Sequence, residues 1–192
     1  MYQKLIPLVW LAILSAAMAY EGEGDVTRVG DTAPMISGVA TDGTTVTLES
    51  YKGKVILLGF FATWCGGCVA EMPRLEREVH QVNKDAGLVV IEVGRGHSYQ
   101  ELARFKANRG FSFTILADPR RELYTRYATD YIPRCYLIGK DGKVKYASTG
   151  INERDFAELK RHVAEELAVM PEKIEKSEKV ATPQRQDDKG TR

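Results

Sequence analysis

Two cysteines separated by two residues, Cys65-Gly66-Gly67-Cys68, are the residues of this chain best suited to chemistry. Thiols at that spacing can close and reopen one disulfide, and a thiol that ionises easily attacks disulfide sulfur. The apolar run 55–61 leads into the motif as a short buried strand, and apolar positions recur at helical spacing over 69–82. A C-x-x-C at such a junction reads as a redox pair. Cys65 then stands at a helix N-terminus, where free backbone amides and the helix dipole stabilise an anion. That makes Cys65 the nucleophile and Cys68, nearly a turn deeper, the resolving thiol. The blander reading, two buried cysteines on a helix, sits less well with the export signal, the neighbouring Trp64 and the proline-led strand 132–138.

The remaining composition narrows the setting. A chain of 192 residues predicts one domain with extensions, and a net charge of +1 gives no basis for a nucleic-acid partner. Three cysteines are too few for a disulfide scaffold, and pairing Cys65 with Cys68 leaves Cys135 over. Cys135 reads as a buried small hydrophobe, with a redox or regulatory role as the alternative. Residues 1–19 read as a cleaved export signal: Lys4, an apolar stretch over 5–14, then Ala17-Met18-Ala19. A retained membrane anchor is the alternative, against which stand Pro7 and the shortness of the run. Export places the thiols where disulfides persist, so their chemistry there is correction or reduction of disulfides. His80, His97 and His162 lack metal-ligand spacing to the cysteines, and neither a metal nor another cofactor is expected.

The elements that must position the motif follow in order. Residues 20–30, rich in Glu and Gly, read as a flexible leader; 31–170 form the domain; 171–192, charged and poor in large apolar residues, read as a disordered tail. A hairpin turns at Asp42-Gly43 with Val46 and Leu48 alternating against Thr45 and Thr47. The helix after the motif is kinked at Pro73, carries Glu71, Arg74, Glu76, Arg77 and Glu78 as its polar side, and stops at Gly87. A second buried strand over 88–93 completes a βαβ unit, and 94–97 form a loop. Ser98 and Glu101 make a capping box for a helix to Asn108, followed by an extended segment over 111–116. Asp118-Pro119 opens a helix through Tyr127. Strand 132–138, begun by Ile132-Pro133, turns at Asp141-Gly142 into an antiparallel partner over 144–148. Asn152 caps a last helix with Phe156, Leu159, Val163, Leu167 and Met170 on one side, ended by Pro171.

From Asp31 to Met170 the chain resembles the thioredoxin superfamily and, within it, the exported TlpA/ResA/DsbE-like redoxins. The resemblance is carried by Ala33-Pro34, Tyr51-Lys52-Gly53-Lys54, Phe61-Ala62-Thr63-Trp64-Cys65 and Ile132-Pro133 before Tyr136-Leu137-Ile138. It implies an α/β, thioredoxin-like fold: a central mixed sheet flanked by helices, with an N-terminal β-hairpin and a family-type αβ insertion over 98–116. It also implies a cis peptide at Ile132-Pro133 facing the cysteines, with Trp64, Ile132 and Pro133 binding substrate and the Ile132 backbone pairing with an extended segment. The activity implied is that of a periplasmic, monomeric protein-disulfide reductase. Its substrates would be cysteine-containing envelope proteins, apocytochromes c among them, and its electron donor a membrane or periplasmic thiol reductant.

Three departures from the family bear on mechanism. Relatives commonly place a proline between the cysteines, where Gly66-Gly67 carries more backbone freedom. The buried aspartate of many thioredoxins aligns with Gly59, and the glutamate of the exported relatives' V-G-E run aligns with Arg95. Glu92, inside an otherwise apolar strand, is the candidate proton acceptor for Cys68; alternatively it faces solvent or pairs with Arg95. Arg134 either lends positive charge near the thiolate or is a solvated strand residue. A Cu(I) metallochaperone using Cys65, Cys68 and a histidine is the alternative in another class, although its relatives space their cysteines one residue wider. A peroxiredoxin fits less well, since Thr63 stands two residues before Cys65 rather than three.

Overall fold

β3 (Val55–Phe61) is an unbroken apolar heptapeptide rich in branched and aromatic side chains, and every one of its residues is buried. A strand of that composition needs cover on both faces, which makes it the centre of a sheet. In the computed structural model, which describes residues 24–150 and 152–169, β3 lies between β4 (Leu88–Arg95) and β6 (Arg134–Ile138), with β5 (Thr114–Asp118) and β7 (Val144–Thr149) at the edges. The order is β5-β4-β3-β6-β7. β3, β4 and β5 run parallel; β6 and β7 pair antiparallel. A separate hairpin of β1 (Ser37–Val39) and β2 (Thr45–Thr47) turns at Gly43, whose φ of 88° favours glycine.

Two apolar layers sandwich the sheet. On one face Leu57, Phe61, Val90, Cys135 and Leu137 meet the helices through Cys68, Met72, Leu102, Phe156 and Leu159. On the other, Leu58, Phe60, Ile91, Val93 and Tyr136 meet the hairpin and the segment carrying Leu123, Tyr124 and Tyr127. The helices are α1 (Gly66–Leu75), α2 (Gln81–Asn83), α3 (Tyr99–Arg109) and α4 (Glu153–Ala168). Ser98 and Glu101 cap α3 reciprocally, and Asn152 Oδ1 accepts from the Asp155 amide at the start of α4. Gly94 lets α3 lie close on the sheet: a Cβ there would stand 2.5 Å from Leu102 Cδ1, and Leu102 is fully buried. Gly94→Ala is therefore expected to cost about 1–3 kcal/mol by overpacking, read as a lower urea midpoint.

Several expectations need correction. Pro73 lies inside α1, but the irregularity falls one turn later, as a π turn over Glu76–His80 between α1 and α2. The strand expected to end before Gly94 continues through Arg95, because Gly94 and Arg95 pair with Ala117 and Asp118 of β5. No helix runs from Asp118 to Tyr127. The Asp118 carboxylate accepts from the amides of Leu123 and Tyr124 at 3.2 and 2.9 Å, and Arg121 has φ 62°, so the chain closes a turn and makes only a short 3₁₀ segment at Tyr124–Arg126. The leader is docked over residues 24–30: the Val26 and Thr27 amides both donate to Tyr127 O, Thr27 Oγ1 donates to Arg126 O, and the Gly30 amide donates to Val144 O. Pairing with segments about a hundred residues away in sequence outweighs its loop-like composition. Residues 1–19, Met170 and 171–192, and with them the signal and tail readings, lie outside the described residues.

Candidate active site

Strand β3 ends at Phe61, and four residues carry the chain into α1. Cys65 is the N-cap, with extended backbone angles, and its Sγ accepts from the Cys68 amide at 3.2 Å. A disulfide joins Cys65 to Cys68, with Cα atoms 5.3 Å apart. Cys65 is half-buried, whereas Cys68 is 2% exposed beneath it. One sulfur can be approached from solvent and the other only from within, which is the geometry of an attacking and a resolving thiol. Gly66 and Gly67 are exposed, with nothing within 4 Å of where their side chains would begin.

Around Cys65 the surface is apolar. Trp64 is 69% exposed, and Ile132 and Pro133 are half-buried across a peptide bond that is cis. Tyr131, which the sequence reading passed over, is exposed immediately before Ile132. Its φ of 63° turns it outward at 54% exposed, while its carbonyl accepts from the Tyr124 hydroxyl at 2.8 Å.

Beneath Cys68 the chemistry changes. Glu92 pairs with Gly59 in the β3–β4 register, and a Cβ at Gly59 would lie 2.2 Å from Glu92 Oε1. The carboxylate absent from β3 at Gly59 is thus supplied from β4 into the space that glycine leaves. Both residues line a cavity of about 30 Å³ together with Cys68, Glu71, Pro133 and Cys135. Burial, helped by the charge of Glu71, pushes the Glu92 carboxyl up to about 8. Burial likewise pushes Glu71 up to about 7, against the pull of Arg74 and with a further push from Glu153 and Asp155; its Oε2 is buried without a hydrogen-bond partner. Two interacting carboxyls titrate as a pair near neutral pH. The sequence pattern puts Glu71 on the polar side of the helix, whereas the structure turns it into this cavity. The overlooked signal was its place three residues after Cys68, on the same helical face.

Other readings change with the geometry. Glu92 neither faces solvent nor pairs with Arg95: positions three apart on a strand point to opposite faces, and the Arg95 guanidinium stacks on Tyr124, 4.5 Å from the ring centroid. Arg134 is not solvated and does not stand over the thiols. It is buried on the sheet face away from α1, where its Nε donates to Asp130 O at 2.7 Å and NH1 ion-pairs with Asp25. Cys135 is a free, buried thiol whose pKa is pushed up by burial and by Glu92, so its nucleophilic form is suppressed. Among the described residues, no group of three or more His, Cys, Asp or Glu side chains has metal-binding geometry.

Known proteins resemble this chain in sequence and fold. The chain is 30% identical to the thiol-disulfide oxidoreductase ResA of Geobacillus thermodenitrificans (strain NG80-2), over 81% of its own length and 91% of the relative's. A candidate protein disulfide isomerase from Bacteroides thetaiotaomicron superposes with a TM-score of 0.73 at 33% identity, covering 76% of this chain and 94% of that one. A candidate thiol:disulfide interchange protein DsbE from Chlorobium tepidum does so with a TM-score of 0.66 at 27% identity, covering 74% and 99%. The AhpC/TSA family model matches residues 29–147. With its thioredoxin-like sheet and its Cys65–Cys68 pair at the head of α1, this chain belongs to the AhpC/TSA family and is a thiol-disulfide oxidoreductase of the ResA/DsbE type.

Proposed function

We propose that this protein reduces disulfides in exported cysteine-containing proteins, with apocytochromes c as one substrate class, and is itself re-reduced by a membrane or periplasmic dithiol donor. The observation that carries the reading is the pairing of an accessible Cys65, its sulfur on a helix N-terminal amide, with a buried Cys68 that shares a cavity with Glu71 and Glu92. In the forward reaction the Cys65 thiolate attacks one sulfur of the substrate disulfide. The substrate S–S bond breaks, a mixed disulfide forms, and one substrate thiolate leaves. Cys68 then gives its proton to the Glu92 carboxylate, directly or through a water for which the cavity has room. The Cys68 thiolate attacks Cys65 Sγ; the mixed disulfide breaks, the second substrate sulfur leaves as a thiolate that takes a proton from water, and the Cys65–Cys68 disulfide remains. Two electrons have passed to the substrate, and the donor dithiol returns them.

Trp64, Tyr131 and Ile132 offer the apolar rim against which an extended substrate segment lies, and Pro133 keeps side-chain bulk away from the sulfurs. Export rests on residues 1–19, with cleavage after Ala19 and the periplasm as destination; a retained signal would instead anchor a monomer at the inner membrane.

The test is capture. A Cys68→Ala variant expressed with its own leader lacks the resolving thiol, so mixed disulfides at Cys65 persist and are identified by mass. Envelope proteins bearing cysteine pairs, together with a dithiol donor, are the expected catch. Recovery of no covalent partner under native export would sink the reading.

A further inference from the structure

His97 lies beyond the end of β4, 6% exposed, with Nε2 3.0 Å from the Thr63 backbone nitrogen and 3.3 Å from Thr63 Oγ1. A backbone N–H can only donate, so Nε2 carries the lone pair and the ring proton belongs on Nδ1. Nδ1 faces Glu101 Oε2 at 3.8 Å. That oxygen is itself held by the Ser98 amide at 2.7 Å and the Ser98 hydroxyl at 2.8 Å. The imidazole therefore bridges the capped N-terminus of α3 to the residue two before Cys65.

The bridge falls where the active-site loop has least support of its own. Between Phe61 and Gly66 the loop is closed by one turn bond, Cys65 N to Ala62 O at 3.0 Å. Beyond it Gly66 and Gly67 make no side-chain contacts, and two glycines weaken the first helical turn that should orient the Cys68 amide. Stiffness has to come from outside α1, and the Thr63 amide is the handle by which another element grips the loop.

We infer that His97 is a positioning residue for thiol-disulfide exchange: as a neutral acceptor for the Thr63 amide it holds the loop so that Cys65 Sγ stays on the Cys68 amide. The thiolate of Cys65 is stabilised by that amide and by the helix terminus, so a loop that drifts loses reactivity without any change in the thiols themselves. His97 stands apart from the Glu92 cavity, whose lining does not include it. The inference rests on Cys65 being the attacking thiol.

The experiment compares His97→Leu, which removes the acceptor, with His97→Gln, which restores one through its amide oxygen. Cys65 alkylation by iodoacetamide is followed against pH in the reduced protein, beside a urea midpoint for each variant. His97→Leu is expected to slow alkylation at neutral pH about tenfold and to move its rise to higher pH, with His97→Gln within about twofold of the parent. A purely structural histidine would lower the urea midpoint and leave the alkylation profile where it was, and that result overturns the inference. Should the leucine variant fail to fold, long-range proton–nitrogen spectra of the unaltered protein decide: a bare Nε2 with the proton on Nδ1 supports the bridge, and the opposite tautomer overturns it. Peptide mapping keeps the two questions apart. Alkylation falling first on Cys68 would remove Cys65 as nucleophile while the tautomer still reports on the bridge.

Discussion

Glu92→Gln is expected to slow resolution of a mixed disulfide about 100-fold at neutral pH, the lower end of general-base contributions, and to abolish a loss of stability that the parent suffers as pH rises. Both effects come from one buried carboxyl. In the unfolded chain it titrates near its ordinary value of 4.5; in the folded protein burial and Glu71 hold it up to about 8. Between those values the folded protein keeps a proton that the unfolded chain has lost. Stability therefore falls as pH climbs from about 4.5 to about 8, and glutamine is exempt. The rise from 4.5 to about 8 corresponds to about 5 kcal/mol. The stability gap between variant and parent should accordingly be small at pH 5 and near its full value at pH 9, by urea unfolding of the oxidised form. Resolution is followed by release of a chromophoric thiol from a Cys65 mixed disulfide. In the parent its rate should rise through pH 7–8 as Glu71 and Glu92 ionise; in the variant that rise should be shallower, with Glu71 as the remaining acceptor. A variant that resolves at the parent rate takes Glu92 out of the mechanism, and a gap that does not grow with pH denies it a proton at neutrality.

The sequence made the scaffold legible where local signals and burial agree. β3 is apolar throughout because both its faces are covered, so its limits could be read from composition alone. The Ser98–Glu101 box and the Asn152 cap announced α3 and α4 because a cap is a local bond between near neighbours. What failed was what depends on distant partners. Asp118-Pro119 has the form of a helix start, yet the Asp118 carboxylate satisfies the Leu123 and Tyr124 amides directly and turns Tyr124 and Tyr127 into the core. At the site the cysteines were evident from spacing. Glu92 stood out as a charge in an apolar strand, but nothing in the text could say that its carboxyl enters the space left by Gly59, since that depends on the β3–β4 register. His97 carried no signal, because its partner is a backbone amide and any residue type supplies one.

Asp25→Asn is expected to cost about 3 kcal/mol and to lower disulfide-reductase turnover, even though Asp25 belongs to the stretch whose composition reads as a flexible leader. The reason is the burial of its partner. The Arg134 side chain is 1% exposed and that of Asp25 9%, so the pair is shielded from both water and salt. Arg134 also donates to Asp130 O, and the Tyr124 and Tyr136 hydroxyls face it, but these groups are neutral. Removing the carboxylate takes an opposite charge away from a guanidinium held in a low-dielectric layer, and the desolvation of that guanidinium sets the cost. The functional effect follows from position: Arg134 directly succeeds Pro133, so whatever loosens its anchorage loosens the rim that faces Cys65. Substrate reduction should drop several-fold while Cys65 alkylation in the reduced protein stays unchanged, because the helix N-terminus that stabilises the thiolate is untouched. The destabilisation should persist in 1 M salt, unlike that of an exposed pair. Asp25→Leu combined with Arg134→Met removes both charges together, and the double variant should recover most of the lost stability because neither buried ion remains. A double variant as unstable as Asp25→Asn would show that docking of the leader, and not the buried charge, carries the effect.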